Sequence, residues 1–310
     1  MQQSTPPTAA GDDAARDPVS RVAAMLARIG PVLGVDAGGT GTRAALVIDG
    51  VTTKRYSAAP FNFLLCDDGV SQMAALARAA RPAAVGIGVP GLAREPGAAA
   101  AFAAAVSEAC GVRTRVAPDA TTAWLGAFLG RPGIAVIAGT GSVAVGGSPG
   151  ALLRAGGHGH LIGDEGGGYW IGRTALRAAL AAAEGGGPPT RLGDALTEAA
   201  GASLDELVLR AQRSPGDRTV LAGLAPVVGR CAGLPDADLV AGSILAEAAA
   251  ALAGLAAALR RQLGELPVAG VGGVFAMRAL SAAFQRATGA VPPLAQPEVG
   301  AALLAAGPAG

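Results

Sequence analysis

Short apolar runs that close on glycine alternate with longer amphipathic or alanine-rich segments along this chain. The short runs predict buried strands that end in turns, and the longer segments predict helices. The predicted strands lie within 31–50, 84–91, 113–117, 131–147 and 267–275, and the first and fourth ranges hold two strands each. The predicted helices cover 21–29, 70–81, 98–110, 120–129, 169–183, 191–200, 204–212, 217–231, 237–264 and 298–306. Strands with helices on both faces are typical of the α/β class.

Two of these strand ranges share one pattern, in which a strand, a Gly-Thr-Gly turn and a second strand follow each other. The turns are Gly-Thr-Gly-Thr at 39–42 and Gly-Thr-Gly-Ser at 139–142. The repeat predicts two β-hairpins and an internal duplication, and therefore two lobes. We expect a disordered tail and lead-in over 1–30, an N-terminal lobe over 31–129, and a C-terminal lobe over 130–310 whose last helix can return to the first lobe.

Composition limits the function classes. The 310 residues suffice for two lobes, 51% of them are apolar, and only 15% are charged, with a net charge of +1. This balance does not suit a nucleic-acid partner or a polybasic membrane anchor. The chain has a single lysine, Lys54, with no glycine loop before it, which excludes a P-loop and a protein kinase. Any phosphate must therefore be bound by backbone N–H groups, metal and arginine.

Cysteine and histidine exclude further classes. Cys66, Cys110 and Cys231 form no CxxC motif, and His158 and His160 lie in no HExxH motif. We therefore expect free thiols in a reducing cytoplasm and no zinc site.

The apolar segments do not predict a membrane protein. Glycine, proline or arginine interrupts each run before the roughly 18–20 residues that a spanning helix needs. The first 20 residues carry three aspartates and lack a basic start followed by an apolar core, so we do not expect a signal peptide there.

Both Gly-Thr-Gly turns also satisfy the dinucleotide-binding pattern GxGxx[G/A]. That pattern requires the glycines to open a helix, whereas both turns here lead into apolar strands. A hairpin turn can instead present successive backbone N–H groups to an anion, and Thr or Ser hydroxyls add donors. Two ordinary tight turns remain the alternative interpretation.

Three aspartates stand at the ends of predicted strands or in a glycine stretch. Asp36 precedes the first turn and could hold a divalent cation against phosphate, or cap the turn. Asp119 lies where a strand gives way to a helix, where it could act as a base or cap the helix. Asp164 and Glu165 could likewise cap the helix after them.

A serine motif in the second half carries no hydrolase chemistry. Gly146-Gly-Ser148-Pro-Gly150 fits GxSxG, but Pro149 has no N–H for an oxyanion hole and the serine opens no helix. We therefore exclude a serine nucleophile at this position.

Ordered motifs from about 32 to 309 resemble the N-acetylglucosamine kinase branch of the sugar kinase/actin superfamily, the BadF/BadG/BcrA/BcrD ATPase family. The group that the chain resembles also includes bacterial glucosamine kinases and the benzoyl-CoA reductase activator ATPases. The most specific match is Gly-Asp-Glu-Gly followed by Tyr-Trp-Ile-Gly, within 163–172. The other matching segments are 35–42 and 138–142 (phosphate), 61–63 and 156–172 (sugar), 118–120 (catalytic base) and 272–275 (adenosine).

The resemblance implies two actin-like, ribonuclease H-like lobes with duplicated mixed sheets around a central cleft. It also implies ATP, Mg²⁺, and phosphoryl transfer to O6 of N-acetylglucosamine, an amino sugar. By the same resemblance, Asp119 is the catalytic base and Asp36 holds Mg²⁺ through water. The ATP-binding residues are Gly38, Gly39, Thr40, Gly41, Thr42, Gly139, Thr140, Gly141, Gly272 and Gly273. The sugar-binding residues are Asn62, Ser142, Gly157, His158, Gly159 and Asp164.

His158 departs from the family pattern, because it stands where the family commonly has Trp. This change removes a flat apolar wall from the expected sugar pocket. A glucosamine kinase is the alternative within the family, and an activator ATPase or a non-catalytic sugar sensor is the alternative from another class. We expect a cytoplasmic enzyme with ATP and an amino sugar as partners, no nucleic acid or membrane, and a homodimer as the candidate assembly.

Overall fold

The computed structural model describes residues 17–61, 68–92, 97–213, 218–233 and 236–307. Its chain divides into two units, unit 1 with Met1–Arg131 and Leu294–Gly310, and unit 2 with Pro132–Pro293. The boundary between the two lobes was expected after residue 129, and the boundary between the two units lies after Arg131. The segment from Leu294 onward, with the last helix, belongs to unit 1.

The described residues form strands and helices in an alternating order. The strands are β1 Val32–Gly38, β2 Gly41–Ile48, β3 Val51–Ala58, β4 Ala84–Val89, β5 Thr114–Pro118, β6 Gly133–Ala138, β7 Ser142–Ser148, β8 Ala151–Gly156 and β9 Val268–Val271. The helices are α1 Pro18–Ala27, α2 Gly69–Ala80, α3 Ala98–Cys110, α4 Asp119–Phe128, α5 Gly168–Ala183, α6 Leu192–Ala200, α7 Leu204–Arg213, α8 Thr219–Ala222, α9 Ala225–Ala232, α10 Leu239–Leu263, α11 Arg278–Thr288 and α12 Pro297–Ala306. A short 3-10 helix, Gly273–Ala276, follows β9.

The two units contain sheets of matching topology. Unit 1 has the strand order β3-β2-β1-β4-β5, and unit 2 has the order β8-β7-β6-β9. In each sheet the Gly-Thr-Gly hairpin is antiparallel, the third strand continues it antiparallel, and the next strand pairs in parallel with the first. The mixed α/β class, the two hairpins and the duplication of the sheet are therefore confirmed.

Helices cover both faces of the unit 1 sheet. On one face, apolar side chains of α2 and α3 pack on β1 and β4, among them Met73, Phe102 and Val106. On the other face, side chains of α1 and α12 pack on β1 and β2, among them Leu26 and Leu303. Both faces are buried, which is why β4 is apolar throughout.

The packing of α12 on the sheet depends on glycine. A Cβ at Gly34 of β1 would overlap the carbonyl oxygen of Glu298, and a Cβ at Gly86 of β4 would overlap that of Ala301. The helix backbone therefore lies directly on the strands. A third glycine, Gly300, gives α12 the same close contact with α4, because a Cβ there would lie 3.0 Å from Cα of Gly126.

Two strands, one helix and some helix bounds differ from the sequence prediction. Helix α11 lies between the strand predicted within 267–275 and the helix predicted over 298–306, where no helix was predicted. The strands β3 and β8, which pair at the outer edges, were not predicted; β3 is mostly polar, and at least half of the residues in each strand are exposed. Helix α1 begins three residues before the predicted start, within the expected tail, and the Asp17 side chain caps it by accepting the N–H groups of Val19 and Ser20. The helix predicted over 217–231 is two helices, α8 and α9.

Helix α10 corrects the expectation that every apolar run is interrupted before it is long enough to span a membrane. Its 25 residues are long and apolar enough to cross a membrane, judged by length and composition alone. Gly242 and Gly254, counted as interruptions in the sequence, do not interrupt the helix. One face of α10, with Leu245 and Leu252, packs in the core of unit 2, and core helices of soluble proteins meet the same criterion.

We predict that Gly86→Ala destabilises the protein by about 1–3 kcal/mol, because the added methyl group overlaps the α12 backbone. The measurement is the denaturant midpoint of unfolding. The matched control is Gly41→Ala, also in a strand, where a Cβ meets nothing within 4 Å. The control should change stability by less than about 0.5 kcal/mol. Equal midpoints for the two variants would contradict the close contact between α12 and β4.

Candidate functional site

Asp36 lies near the carboxyl end of β1, directly opposite Arg43 of β2. Arg43 Nη2 donates to Asp36 Oδ2 at 2.8 Å, and the Asp36 side chain is 14% exposed. Burial raises the pKa of Asp36 above its ordinary value, although the Arg43 hydrogen bond acts against that rise. The carboxylate thus pairs across the strands, and none of its described hydrogen bonds caps the turn.

A second carboxylate reaches this part of unit 1 from the far end of the chain. Glu298, in the first turn of α12, is 3% exposed. Its Oε1 accepts a hydrogen bond from Arg55 of β3, and its Oε2 is buried with no hydrogen-bond partner among the described residues. The negative charge of Glu298 contributes to the raised pKa of Asp36. Sequence reasoning missed Glu298, which stands in no motif.

The first Gly-Thr-Gly turn is open to solvent. Gly38 pairs with Gly41, so that Gly39 and Thr40 form the exposed two-residue connection, and a Cβ at Gly39 would meet nothing within 4 Å. Thr42, expected to line phosphate, is 1% exposed. Its hydroxyl donates to the carbonyl oxygen of Ala59 at 2.9 Å. Thr42 thereby holds the chain after β3 against the turn.

That chain leads to the predicted sugar-binding Asn62. The N–H of Phe61 donates to the carbonyl oxygen of Gly38 at 3.0 Å, and the ring of Phe61 stacks on Phe102 with 5.7 Å between centroids. The residue before Asn62 is thus fixed beside the first turn. Asn62 itself lies outside the described residues.

Asp119 is the first residue of α4, immediately after β5. It is half-buried, and its Oδ1 accepts the N–H of Ala120 at 2.8 Å. The N-cap residue of α4 is Pro118, so Asp119 is not the N-cap, although its charge suits the positive end of the helix.

Asp36 and Asp119 lie at the same edge of the unit 1 sheet. Strands β1, β4 and β5 run parallel, and Asp36 is in register with Gly88, which is in register with Ala117. Asp36, Gly88 and Ala117 thus stand side by side on the three strands. Asp119 comes two residues after Ala117, and the strand before it, β5, is separated from β1 by β4. With neighbouring strands about 4.8 Å apart, both carboxylates belong to the region beyond the carboxyl ends of the parallel strands, where α/β proteins bind ligands.

The second Gly-Thr-Gly turn, in unit 2, is held by the start of α5. The N–H groups of Gly168 and Tyr169 donate to the carbonyl oxygens of Gly139 and Thr140 at 2.7 and 2.9 Å. A Cβ at Gly139 would meet nothing within 4 Å. As in the first turn, no residue over 139–142 has a positive φ, so both are simple turns without left-handed residues.

Asp164 touches this second turn. A Cβ at Gly141 would overlap Asp164 Oδ2 and lie 2.8 Å from its Cγ. Asp164 is 6% exposed, and its Oδ1 accepts the N–H of Gly159 at 3.2 Å. Arg218 Nη1 lies 3.5 Å from Oδ2. The predicted sugar-binding and phosphate-binding residues of unit 2 therefore form one packed structure, in which Arg218 was not foreseen because no motif contains it.

Asp164 does not cap the helix that follows it. The N-cap residue of α5 is Gly167, with no side-chain hydrogen bond. Asp164 has a φ of +64°, which is uncommon for a residue other than glycine. Ser142 supports the same segment, because its hydroxyl donates to the carbonyl oxygen of Glu165 at 2.7 Å.

The histidine segment lies beside Asp164. Gly157 and Gly159 flank His158, whose side chain is exposed. His160 makes an edge contact with Tyr169, 4.8 Å between ring centroids. Burial lowers the pKa of His160, and the positive charge of Arg218 lowers it further.

The predicted adenosine motif lies at the end of β9. This strand pairs in parallel with β6, up to Ile137 opposite Val271. A Cβ at Gly272 would overlap the carbonyl oxygen of Ala138, the residue before the second turn, and Gly273 begins the 3-10 helix. Gly272 and Gly273 are therefore adjacent to the Gly139–Gly141 turn in space.

Other candidate chemistry is limited. Among the described residues, no group of three or more His, Cys, Asp or Glu could hold a metal ion. Cys110 and Cys231 are free thiols, and Cys66 lies outside the described residues. Ser148 ends strand β7, which differs from the strand-to-helix turn of a hydrolase nucleophile.

Comparison with known proteins identifies relatives of the whole fold. The model of the BadF/BadG/BcrA/BcrD ATPase family matches residues 33–305. A candidate N-acetylglucosamine kinase from Chromobacterium violaceum is 30% identical, covers 89% of this chain and 99% of its own, and superposes with a TM-score of 0.73. No curated protein matches the chain significantly.

Two more distant structures share the fold alone. A candidate N-acetylglucosamine kinase from Porphyromonas gingivalis is 21% identical over 88% of this chain and 98% of its own, with a TM-score of 0.73. A ROK family glucokinase from Streptomyces griseus, in complex with glucose and AMPPNP, is 19% identical over 89% and 98%, with a TM-score of 0.60.

We predict that Gly141→Ala destabilises the protein by about 1–3 kcal/mol, because the methyl group displaces the Asp164 carboxylate. Its matched control is Gly139→Ala in the same turn, where open space should hold the change below about 0.5 kcal/mol. Both values come from denaturant unfolding. A Gly141→Ala variant as stable as the control would show that Asp164 does not pack on the turn.

Proposed function

The chain belongs to the BadF/BadG/BcrA/BcrD ATPase family, and from this premise we propose that it transfers the γ-phosphoryl group of ATP to O6 of N-acetylglucosamine. The chain is homologous to ATP-dependent sugar kinases. The observation that carries the proposal is the packing of Asp164 on the Gly139–Gly141 turn. This contact joins the predicted sugar-binding and phosphate-binding residues in one structure.

The proposed ATP site uses backbone groups of open turns. Gly39 and Gly139 have free space where a Cβ would be, which suits the close approach of phosphate oxygens to backbone N–H groups. Thr40 and Thr140 add hydroxyl donors in the same turns. Gly272 and Gly273, beside the second turn, are proposed to contact adenosine.

The residues around Asp36 fit a magnesium ion. Carboxylate oxygens are the ligands that Mg²⁺ prefers, and the cation is commonly held through water by one or two of them. Asp36 is proposed to hold Mg²⁺ in this way, and the buried, unpartnered Oε2 of Glu298 shows acceptor capacity beside it. When bound, the metal offsets negative charge on the phosphates.

Asp119 is proposed as the general base. A sugar primary hydroxyl is a poor nucleophile, and a carboxylate within about 2.6–3.2 Å can accept its proton as the phosphoryl group arrives. The hydrogen bond from Ala120 to Oδ1 orients the carboxylate at the start of α4. The rest of the acceleration is positioning and electrostatic stabilisation.

The sugar is proposed to bind at Asp164 and the glycine segment before it. The N–H of Gly159 and the guanidinium of Arg218 fix the Asp164 carboxylate, whose remaining lone pairs can accept sugar hydroxyls. Asn62 is proposed to contact the same sugar, and His158 is proposed to face its substituent at C2. An exposed histidine gives a less apolar wall than the usual tryptophan.

The test is a coupled ADP-release assay with N-acetylglucosamine, glucosamine, glucose, other hexoses and a reaction without sugar. The proposal expects release that depends on sugar and is fastest with N-acetylglucosamine. Fastest turnover with glucosamine would show that the substrate is glucosamine, and the proposal of a sugar kinase would stand. Hydrolysis without sugar stimulation would indicate an ATPase that drives a partner, and sugar binding without ADP release would indicate a sensor.

The proposal places the reaction in the cytoplasm, where ATP is available. We also propose that the protein is a homodimer and that it acts without nucleic acid or a membrane. Light scattering of the purified chain measures the oligomeric state.

We predict that Gly39→Val and Gly139→Val each weaken ATP binding at least tenfold, because the side chain fills the space proposed for phosphate. Calorimetric titration with ATP and Mg²⁺ measures this. Both variants should fold normally, since neither position has a positive φ or a close neighbour. The control Gly254→Val, which lies in α10 with equally open space, should bind ATP like the parent protein. Unchanged ATP affinity in either folded turn variant would exclude that turn as a phosphate site.

We predict that Asp119→Asn lowers kcat by about 10²–10⁴-fold, because the amide cannot accept the sugar proton. Stability and ATP affinity should stay nearly unchanged, since asparagine retains size and can accept the Ala120 N–H. Steady-state kinetics measures kcat and KM separately. Retention of more than about a tenth of kcat would place the base elsewhere. Asp164→Asn is the companion variant, and its main expected effect is a raised KM for sugar.

A further inference from the structure

A buried carboxylate oxygen in unit 1 has no partner. Glu298 is 3% exposed, and Arg55 binds Oε1, but Oε2 has no hydrogen-bond partner among the described residues. More than nine in ten buried polar groups in proteins are hydrogen-bonded, and an unsatisfied one costs about 1–3 kcal/mol. An oxygen left in this state requires a physical reason.

The tight packing of α12 places Glu298 beside Asp36. Residues paired across antiparallel strands share a face of the sheet, so Gly34 and Arg55 lie on one face with Asp36 and Arg43. The carbonyl oxygen of Glu298 occupies the position of a Cβ at Gly34, two residues before Asp36 on the same face. The Glu298 side chain therefore lies within the cluster that these four residues form.

The charges of this cluster are unevenly exposed. The Asp36 and Glu298 side chains are 14% and 4% exposed, whereas the side chains of Arg43 and Arg55 are 59% and 61% exposed. Two negative groups are thus buried near each other, and their positive partners approach from the solvent side. The exposed arginines can turn into solvent, but the buried carboxylate that each one leaves then needs another counter-charge, which a bound cation would supply.

We propose that Glu298 and Asp36 together bind a divalent cation, with Oε2 of Glu298 as an acceptor for the cation or for one of its water ligands. This inference rests on the proposed function, which assigns Mg²⁺ to Asp36, and adds a residue that no motif of the family resemblance contains. Carboxylate oxygens and water form the coordination that Mg²⁺ and Mn²⁺ prefer. The helix α12 thereby becomes part of the cation site.

The test measures Mn²⁺ binding to the full chain by electron paramagnetic resonance, without nucleotide or sugar. In Glu298→Gln, the amide oxygen can still accept from Arg55, but the negative charge is lost. We expect Mn²⁺ affinity to fall at least tenfold, as in Asp36→Asn. In Arg55→Met, Glu298 loses its competing counterion, and we expect Mn²⁺ affinity to rise above that of the parent.

A purely structural ion pair between Arg55 and Glu298 gives a different pattern. Glu298→Gln and Arg55→Met would then each lower the unfolding midpoint and leave Mn²⁺ affinity unchanged, and this result would overturn the proposal. If Glu298→Gln did not fold, an unchanged or lowered Mn²⁺ affinity in folded Arg55→Met would overturn it, and a rise would support it.

The outcome is separable from that of the proposed function. Sugar-dependent ADP release by the parent chain with unchanged Mn²⁺ binding in Glu298→Gln would retain the kinase and remove Glu298 from the site. Loss of Mn²⁺ binding in Glu298→Gln without ADP release by the parent chain would retain the cation site and remove the kinase.

Discussion

The close contact between α12 and the unit 1 sheet is the constraint on which the arrangement of that unit depends. Gly34 and Gly86 have no Cβ, so the backbone of α12 can lie directly on the strands. Gly300 of α12 likewise has no Cβ, so the helix can cross α4 at the same close distance. The contact closes one face of the sheet with a segment from the far end of the chain. It also fixes Glu298 next to Asp36, so a packing requirement and a candidate cation site share one cause.

In unit 2 the corresponding constraint is the contact between the second turn and the segment before α5. Backbone hydrogen bonds from Gly168 and Tyr169 hold the turn, and the Asp164 carboxylate packs on Gly141. A ligand at the turn and a ligand at Asp164 would therefore contact the same small structure. Such an arrangement suits a reaction in which phosphate and sugar must be positioned with little tolerance.

Much of the fold follows from local pattern. Helix α3 has the bounds that its alanine-rich run predicts, and the two glycine hairpins pair as expected. The strand β3 was missed because its residues are mostly exposed and polar, so periodicity gave no apolar face to recognise. Helix α10 lies within two residues of its predicted bounds, and only the expectation that glycine interrupts its apolar run is wrong, because Gly242 and Gly254 are tolerated within the helix.

The sequence by itself determined the class of the fold, the two turns and the positions of Asp36 and Asp119 at strand ends. These features depend on residues near one another in the chain, whose conformational preferences act locally. Only the tertiary structure decided the partners of the charged groups. Arg55 meets Glu298 across 243 residues, and Arg218 meets Asp164 across 54. Such pairs form where packing buries a charge, and burial is a property of the assembled chain that no local pattern contains.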